Sequence, residues 1–293
     1  MDRPAVHGVR LFNRTVAERI GALGDGFLGR GRPMAESRIL WEIGPNGAEV
    51  RELRARLELD SGYVSRILQS LNRQGLIALE ASAEDGRVRR TSLTRAGRAE
   101  RAVLDRRADR LAWGLLEPLS QDQRSELLTA MQRVERLLTA SVVRISIEDP
   151  TTSDAQWCID QYFAELNTRF EAGFDPSRGI SADAHELVPP AGALMIARLR
   201  ARAIGCGALK FHGRAPAELK RMWVAPEARG LGLGRRLLVD LERHAKQSGA
   251  RTIRLETNGS LTEAIALYRS SGYREVPRFN DEPYAHHWFE KRL

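Results

Sequence analysis

The stretch from Ala217 to Gly234, AELKRMWVAPEARGLGLG, runs an apolar strand into a turn in which Gly230, Gly232 and Gly234 alternate with Leu231 and Leu233. Beyond it Leu237, Leu238, Leu241 and Ala245 recur at helical spacing, so the turn opens an amphipathic helix. Such a turn offers backbone N–H groups that have no intrahelical acceptor, together with the positive end of the helix dipole. Both favour a diphosphate, and the segment reads as an anion cradle. The G-x-G-x-x-G spacing is absent and the preceding strands read as an antiparallel meander, which argues against a dinucleotide-binding crossover.

Around this segment the texture is of short strands alternating with helices. Strands are expected near 144–149, 192–199, 203–211, 217–224, 251–257 and 284–290, with helices at 153–172, 231–248 and 260–271. Before residue 143 the chain reads as helical, at 5–24, 34–43, 49–57, 61–74, 95–116 and 121–140. One hairpin interrupts it, 76–81 and 87–94 around Asp85-Gly86, a tight-turn pair. At 293 residues the chain is long for one domain and comfortable for two, expected at 1–143 and 144–293.

The net charge of +8 and isoelectric point near 10.0 suit a polyanionic partner without proving one. Every cation before Lys210 is an arginine, whose planar fork suits phosphates and guanine edges, though a codon bias gives the same result. Cys158 and Cys206 lie far apart and lack metal-ligand spacing, so neither a disulfide nor zinc is expected. No apolar run approaches the roughly 20 residues of a bilayer span. A soluble, cytoplasmic protein without membrane or metal partners is the expectation.

Helices 49–57 and 61–74 form a helix-turn-helix pattern. The second buries Val64, Ile67, Leu68 and Leu71, which leaves Ser61, Gly62, Ser65, Arg66 and Gln69 toward the exposed side, where a recognition helix reads base edges. Arg87, Arg89 and Arg90 follow on the hairpin, placed to lie along phosphates or in a minor groove; the alternative is an ordinary solvated face. Here the chain resembles the MarR family of winged-helix regulators, whose wing signature D-x-R-x-x-x-x-x-L-T is matched by Asp85, Arg87, Leu93 and Thr94. The resemblance, over about 5–140, implies double-stranded DNA as partner and a homodimer built by the first and last helices.

The C-terminal half resembles the GNAT acyltransferase superfamily over about 144–293. Its acyl-CoA motif [Q/R]-x-x-G-x-[G/A] is matched by Arg229, Gly232 and Gly234, with Val224-Ala225-Pro226 before it and Leu255-Glu256-Thr257-Asn258, Ala264 to Tyr268 and Gly272-Tyr273 after it. The resemblance implies that acetyl-CoA lays its pyrophosphate on the amides of Arg229, Gly230, Leu231, Gly232, Leu233, Gly234 and Arg235. Its pantetheine arm would run along Met222, Trp223 and Val224, with Asn258 also at the cofactor, and Tyr268 would stand beside the sulfur as general acid. A phenol with an ordinary pKa near 10 keeps the proton that this role needs.

Glu218 is the expected general base, directly or through water, with ordinary pairing to Lys220 or Arg221 as the alternative. Phe170, Phe174, Glu218, Asn258, Tyr284 and His286 are the expected acceptor-side residues; strand alternation lets at most one of His286 and His287 face the cleft. The fold class is therefore an α-rich winged helix with a β-hairpin wing, followed by an α+β domain with a mixed, mostly antiparallel sheet. The function expected is a DNA-binding regulator fused to an N-acetyltransferase acting on a small amine or amino acid. A domain that only senses acetyl-CoA, or one that acetylates proteins, is the alternative.

Overall fold

The computed structural model describes residues 2–21, 27–81, 89–180, 182–213 and 215–293. The chain divides into two compact units, Met1–Met131 and Gln132–Leu293.

The first unit holds α1 (Arg3–Arg19), α2 (Met34–Ile43), β1 (Ala48–Glu49), α3 (Val50–Leu57), α4 (Ser61–Arg73), β2 (Ile77–Ala81), β3 (Arg89–Leu93), α5 (Arg95–Leu116) and the start of α6 (Gln121–Ser141). Helix α4 begins where Asp60 accepts a hydrogen bond from the Tyr63 amide at 3.0 Å, and its apolar stripe Val64, Ile67, Leu68 and Leu71 is buried. That stripe packs with Ile39, Leu40, Ile43, Leu53, Ile77 and Leu104 into one core. Thr94 caps α5 through the Gly97 amide at 3.0 Å. A Cβ on Gly97 would stand 1.9 Å from the Leu76 carbonyl oxygen, so only glycine lets helix and strand backbones meet there. The strands order β1-β3-β2, all antiparallel. Helix α1 stops at Arg19, short of the expected 24, and buries none of its residues; Leu11 and Phe12 are exposed. The hairpin tip expected around Asp85 and Gly86, with Arg87, lies outside the described residues.

The second unit adds β4 (Val143–Glu148), α7 (Ser153–Arg169), β5 (Gly192–Leu199), β6 (Arg202–Lys210), β7 (Ala217–Val224), α8 (Leu233–Gln247), β8 (Thr252–Thr257), α9 (Thr262–Ser270), β9 (Arg274–Glu275) and β10 (His287–Arg292). Its sheet runs β4-β5-β6-β7-β8-β10-β9. Among the described residues only β7 and β8 pair in parallel, so the sheet is mixed and mostly antiparallel. Strands β5 and β6 are buried along nearly their whole length, as strands covered on both faces are. Leu237, Leu238, Leu241 and Ala245 of α8 are fully buried against the sheet, each leucine contributing roughly 1.5–3 kcal/mol of transfer free energy.

Two irregularities open the sheet at one place. The parallel pairing of β7 with β8 covers only Ala217↔Ile253 and Glu218↔Arg254, and past that point no pairing joins the described residues of the two strands. The register of β7 on β6 also slips, since Cys206 faces Trp223 while Ala208 faces Lys220. Two residues, Arg221 and Met222, thus stand opposite the single Gly207, which is a β-bulge. Arg221 takes the left-handed conformation there, at φ 54°, a strain of order 1–3 kcal/mol that the surrounding sheet must hold. Among the described residues no helix is long and apolar enough to cross a membrane.

Candidate active site

The diverging strands border two cavities. The larger, about 570 Å³, is lined by Met222, Trp223 and Val224 of β7, by Arg229, Gly230, Gly232, Leu233, Gly234 and Arg235 of the turn and the start of α8, and by Tyr268. The turn behaves as its glycines require. Gly230 and Gly232 have φ of 80° and 74°, which side-chain-bearing residues avoid, and Gly232 is the N-cap of α8. At Gly234 a Cβ would sit 3.4 Å from Leu267 and 3.9 Å from Val224, an ordinary contact, so neither space nor backbone conformation demands glycine there. The amides of Leu233, Gly234 and Arg235 fall in the first turn of α8, where a helix supplies no acceptor. These donors, the helix dipole and the Arg229 and Arg235 side chains fit a diphosphate, and the apolar length of the cleft fits a thioester arm. The Leu231 side chain packs toward the core and does not line this cleft; the expectation for Leu231 concerned its backbone amide.

Arg229 donates to the Val224 carbonyl at 3.1 Å and pairs with Glu165 of α7. The same carboxylate accepts from the Trp223 indole N–H at 2.9 Å, which braces that side chain into the core beside Trp157. Tyr268 is 6% exposed, with its ring against Tyr273 and Phe289. Burial, aided by the negative charge of Glu256, pushes its phenol well above the ordinary value, so it keeps its proton.

The second cavity is smaller, about 90 Å³, and shares Tyr162, Leu166 and Leu261 with the first as common walls. Phe170, Phe174 and Tyr284 line it as expected; Phe174 lies 5.7 Å from Phe170 and 4.9 Å from Tyr284, centroid to centroid. Its polar wall is Lys220, Arg221 and Glu256. Burial likewise raises the Tyr162 phenol, on which Tyr268, Arg221 and Glu256 all act electrostatically. These groups form one electrostatic neighbourhood.

Three expected placements need correction. Glu218 lines neither cavity: it is 5% exposed and held by Arg254 at 2.7 Å, Lys220 at 3.3 Å and His212 at 3.4 Å. Burial alone would raise its pKa, but Lys220, Arg254 and His212 together bring it below the ordinary carboxylate value. A carboxylate so committed is a poor proton acceptor. Asn258 stands at the smaller cavity and not at the cofactor cleft, and its side chain is spent on the loop, donating to the Tyr284 carbonyl at 2.7 Å and accepting from the Ser260 amide at 2.9 Å. His286 precedes β10 and is exposed; its Nδ1 accepts from the Gly259 amide at 3.2 Å, outside the cavity lining. His287 pairs with Glu275 at 2.6 Å and also faces away.

Glu256 is the residue that sequence reasoning passed over. Its side chain is 7% exposed, Lys220 holds Oε1, and Oε2 is buried with no hydrogen-bond partner among the described residues. Unsatisfied buried carboxylate oxygens are rare and costly, and this one has no donor among the described residues. Period-two alternation along β8, with Ile253, Leu255 and Thr257 buried on the opposite face, was the available signal.

In the first unit, Ser61, Ser65, Arg66 and Gln69 are exposed along α4 with Gly62 half-buried, and Arg89 and Arg90 are exposed on β3. Arg90 also donates to the Asn46 carbonyl at 2.8 Å. Arg87 is outside the described residues.

Residues 159–273 match the model of the Acetyltransferase (GNAT) family, and residues 30–88 that of the MarR family. An uncharacterized N-acetyltransferase of Schizosaccharomyces pombe is 36% identical over 100 residues, 33% of this chain and 58% of that protein. An IAA acetyltransferase of Azospirillum brasilense is 37% identical over 94 residues, 32% of this chain and 61% of that protein. The chain thus spans about three fifths of the length of these curated relatives. A probable transcriptional regulator of Pseudomonas aeruginosa aligns in structure over 42% of this chain and 93% of its own, at 23% identity and a TM-score of 0.37. By the two family models, the chain carries a MarR-family segment followed by a GNAT-family segment.

Proposed function

We propose that the C-terminal unit transfers the acetyl group of acetyl-CoA directly to the primary amine of a small molecule, and that the N-terminal unit binds double-stranded DNA as part of a homodimer. The observation that carries the catalytic half is the shared wall between the two cavities, with a protonated phenol at one side and an unsatisfied carboxylate oxygen at the other. Acetyl-CoA, when bound, supplies an activated acyl carbon. The amides from Arg229 to Arg235 hold its diphosphate, and the backbone of 222–224, freed where β7 leaves β8, offers donors to its amide-rich arm and to the thioester oxygen.

Glu256 replaces Glu218 as the base in this reading. Its Oε2 accepts the proton that the ammonium must lose, while Lys220 holds Oε1. The C–N bond then forms as the C–S bond breaks; Tyr268 gives its proton to the departing sulfur, and the nitrogen sheds a second proton, which restores the phenol, to become the amide. Holding both reactants across one wall supplies much of the remaining rate. A name such as IAA acetyltransferase belongs to the relative and fixes no substrate for this chain.

For the DNA-binding half, the exposed N-terminal side of α4 with Arg66 and Gln69 supports base-edge contact, and Arg87, Arg89 and Arg90 support phosphate contact. The exposed apolar residues of α1, including Leu11 and Phe12, support burial against a second copy. The test of the enzyme is thiol release from acetyl-CoA over a panel of amines, amino acids and peptides, with the product identified by mass. Acetylated amine in proportion to thiol is the expected result. Binding of acetyl-CoA without turnover on any acceptor would leave only a sensor.

A further inference from the structure

One face of α7 forms a wall of the larger cavity. Tyr162, Glu165, Leu166 and Arg169 recur there at helical spacing, and all four line the cleft. Two of the three polar side chains on that face are spent within the protein. Glu165 serves the Trp223 indole and Arg229, and Arg169 donates to the Ser260 carbonyl at 2.9 Å and to Glu263 at 2.7 Å. Tyr162 differs, because its hydroxyl has no hydrogen-bond partner among the described residues.

Its place in the fold gives that hydroxyl a use. Of the three residues that both cavities share, Leu166 and Leu261 are apolar, so Tyr162 alone brings a polar side-chain atom to the common wall. Tyr268 and Glu256 both act electrostatically on the Tyr162 phenol, which puts it within reach of the groups read above as acid and base. Burial raises its pKa, so at neutral pH it is a donor.

Acyl transfer needs such a donor. When the nitrogen attacks, the electron pair of the C=O π bond moves onto oxygen, and it returns to carbon as the C–S bond breaks. In between, the oxygen is anionic in a site walled from water, where a preorganised donor is worth most. Tyr268 has its proton engaged with the sulfur, and Glu256 enters the reaction with no proton to give. We propose, on the basis of the acetyltransferase reading above, that the Tyr162 hydroxyl donates a hydrogen bond to the carbonyl oxygen of the acetyl group, alongside a backbone N–H of β7. Tyr162 keeps its proton throughout. The two phenols thus divide the work, Tyr162 on the oxygen and Tyr268 on the sulfur.

Tyr162→Phe removes an oxygen that bonds no described residue, so the variant should melt at the parent temperature. The probe is acetyl-CoA labelled with carbon-13 at the carbonyl, whose resonance moves downfield when its oxygen accepts a hydrogen bond. Bound to the parent protein it should lie downfield of free acetyl-CoA. In Tyr162→Phe it should move back toward the free position, and in Tyr268→Phe it should stay where the parent holds it. S-Ethyl-coenzyme A lacks the carbonyl and should bind parent and Tyr162→Phe equally. Over the amine panel, Tyr162→Phe should lower kcat by about 10²-fold, with KM for acetyl-CoA near the parent value. A parent resonance that is not displaced from the free position overturns the assignment without recourse to any variant, as does a displacement that Tyr162→Phe leaves in place. Acetyl transfer by the parent in either case leaves the acetyltransferase reading standing. Bound acetyl-CoA with no thiol release on any amine of the panel overturns that reading and this assignment with it.

Discussion

Glu218 and Glu256 sit on neighbouring strands, and their different fates show what decides a residue's role. Glu218 faces Arg254 in the one stretch where β7 and β8 remain paired, so it is neutralised inside the sheet. Glu256 lies past the point where the strands part, so one of its oxygens is left over. Glu218→Ala should therefore act on stability, costing about 1–3 kcal/mol, because Arg254 loses its carboxylate and Lys220 keeps only Glu256. The pH dependence has a definite sign. A carboxyl whose folded pKa is depressed stabilises the fold above its unfolded pKa, and that stabilisation is lost as pH falls through the folded value. Thermal inactivation of the parent should thus steepen below about pH 4, and the variant should lack that component. Tyr268→Phe should behave oppositely, lowering kcat by about 10²-fold with little change in melting temperature or in KM for acetyl-CoA. Local spacing pointed to Lys220 as a partner of Glu218 but could not separate the two glutamates, because its other partners come from residues 212 and 254 and depend on strand pairing. Tyr268 was legible because it sits at a fixed place in a motif. His286 was not, since its position depends on where β10 begins.

The elements themselves were more readable than their ends. Helix α4 kept its apolar stripe and its cap, and the glycine turn opened α8 as the dipole argument requires. The two-residue strands β1 and β9 escaped notice because so short a run has no period to detect; only their partners β3 and β10 define them. The bulge in β7 was equally invisible, since it exists only as a slip against β6. The turn makes its own prediction. Gly232→Val would force a branched side chain into the left-handed region at φ 74°, with open space around it and so no clash to blame. Coenzyme A binding measured by calorimetry should weaken at least tenfold, as the first-turn amides lose their alignment, a change of about 1.4 kcal/mol or more. Unchanged affinity would mean that the diphosphate lies elsewhere.

At the scale of the whole chain, the proposed reading has two sets of residues answer to two kinds of anion. The first unit presents arginines on α4 and β3, and the second presents amides at the head of α8. The change from helical to alternating texture put the division at 143, whereas the compact units divide after residue 131, within α6; a mostly antiparallel sheet followed from the meander of β4 to β7. Operator binding is tested by its salt dependence. Replacing Arg87, Arg89 and Arg90 by alanine should reduce the slope of log Kobs against log[salt] by roughly 0.9 for each phosphate that those side chains neutralise. A slope that does not move would assign those arginines to the solvated face. The claim on which the enzyme rests is that the two walled cavities are halves of one acetyl-transfer site, with Glu256 taking the amine proton. The most direct measurement is the pH profile of kcat/KM for the acceptor in Glu256→Gln, with coenzyme A affinity measured alongside. The expected result is a fall of about 10²- to 10⁴-fold at neutral pH, unaltered coenzyme A binding, and partial recovery of rate at alkaline pH where the amine loses its proton unaided. A variant that acetylates at the parent rate across the same pH range would contradict it.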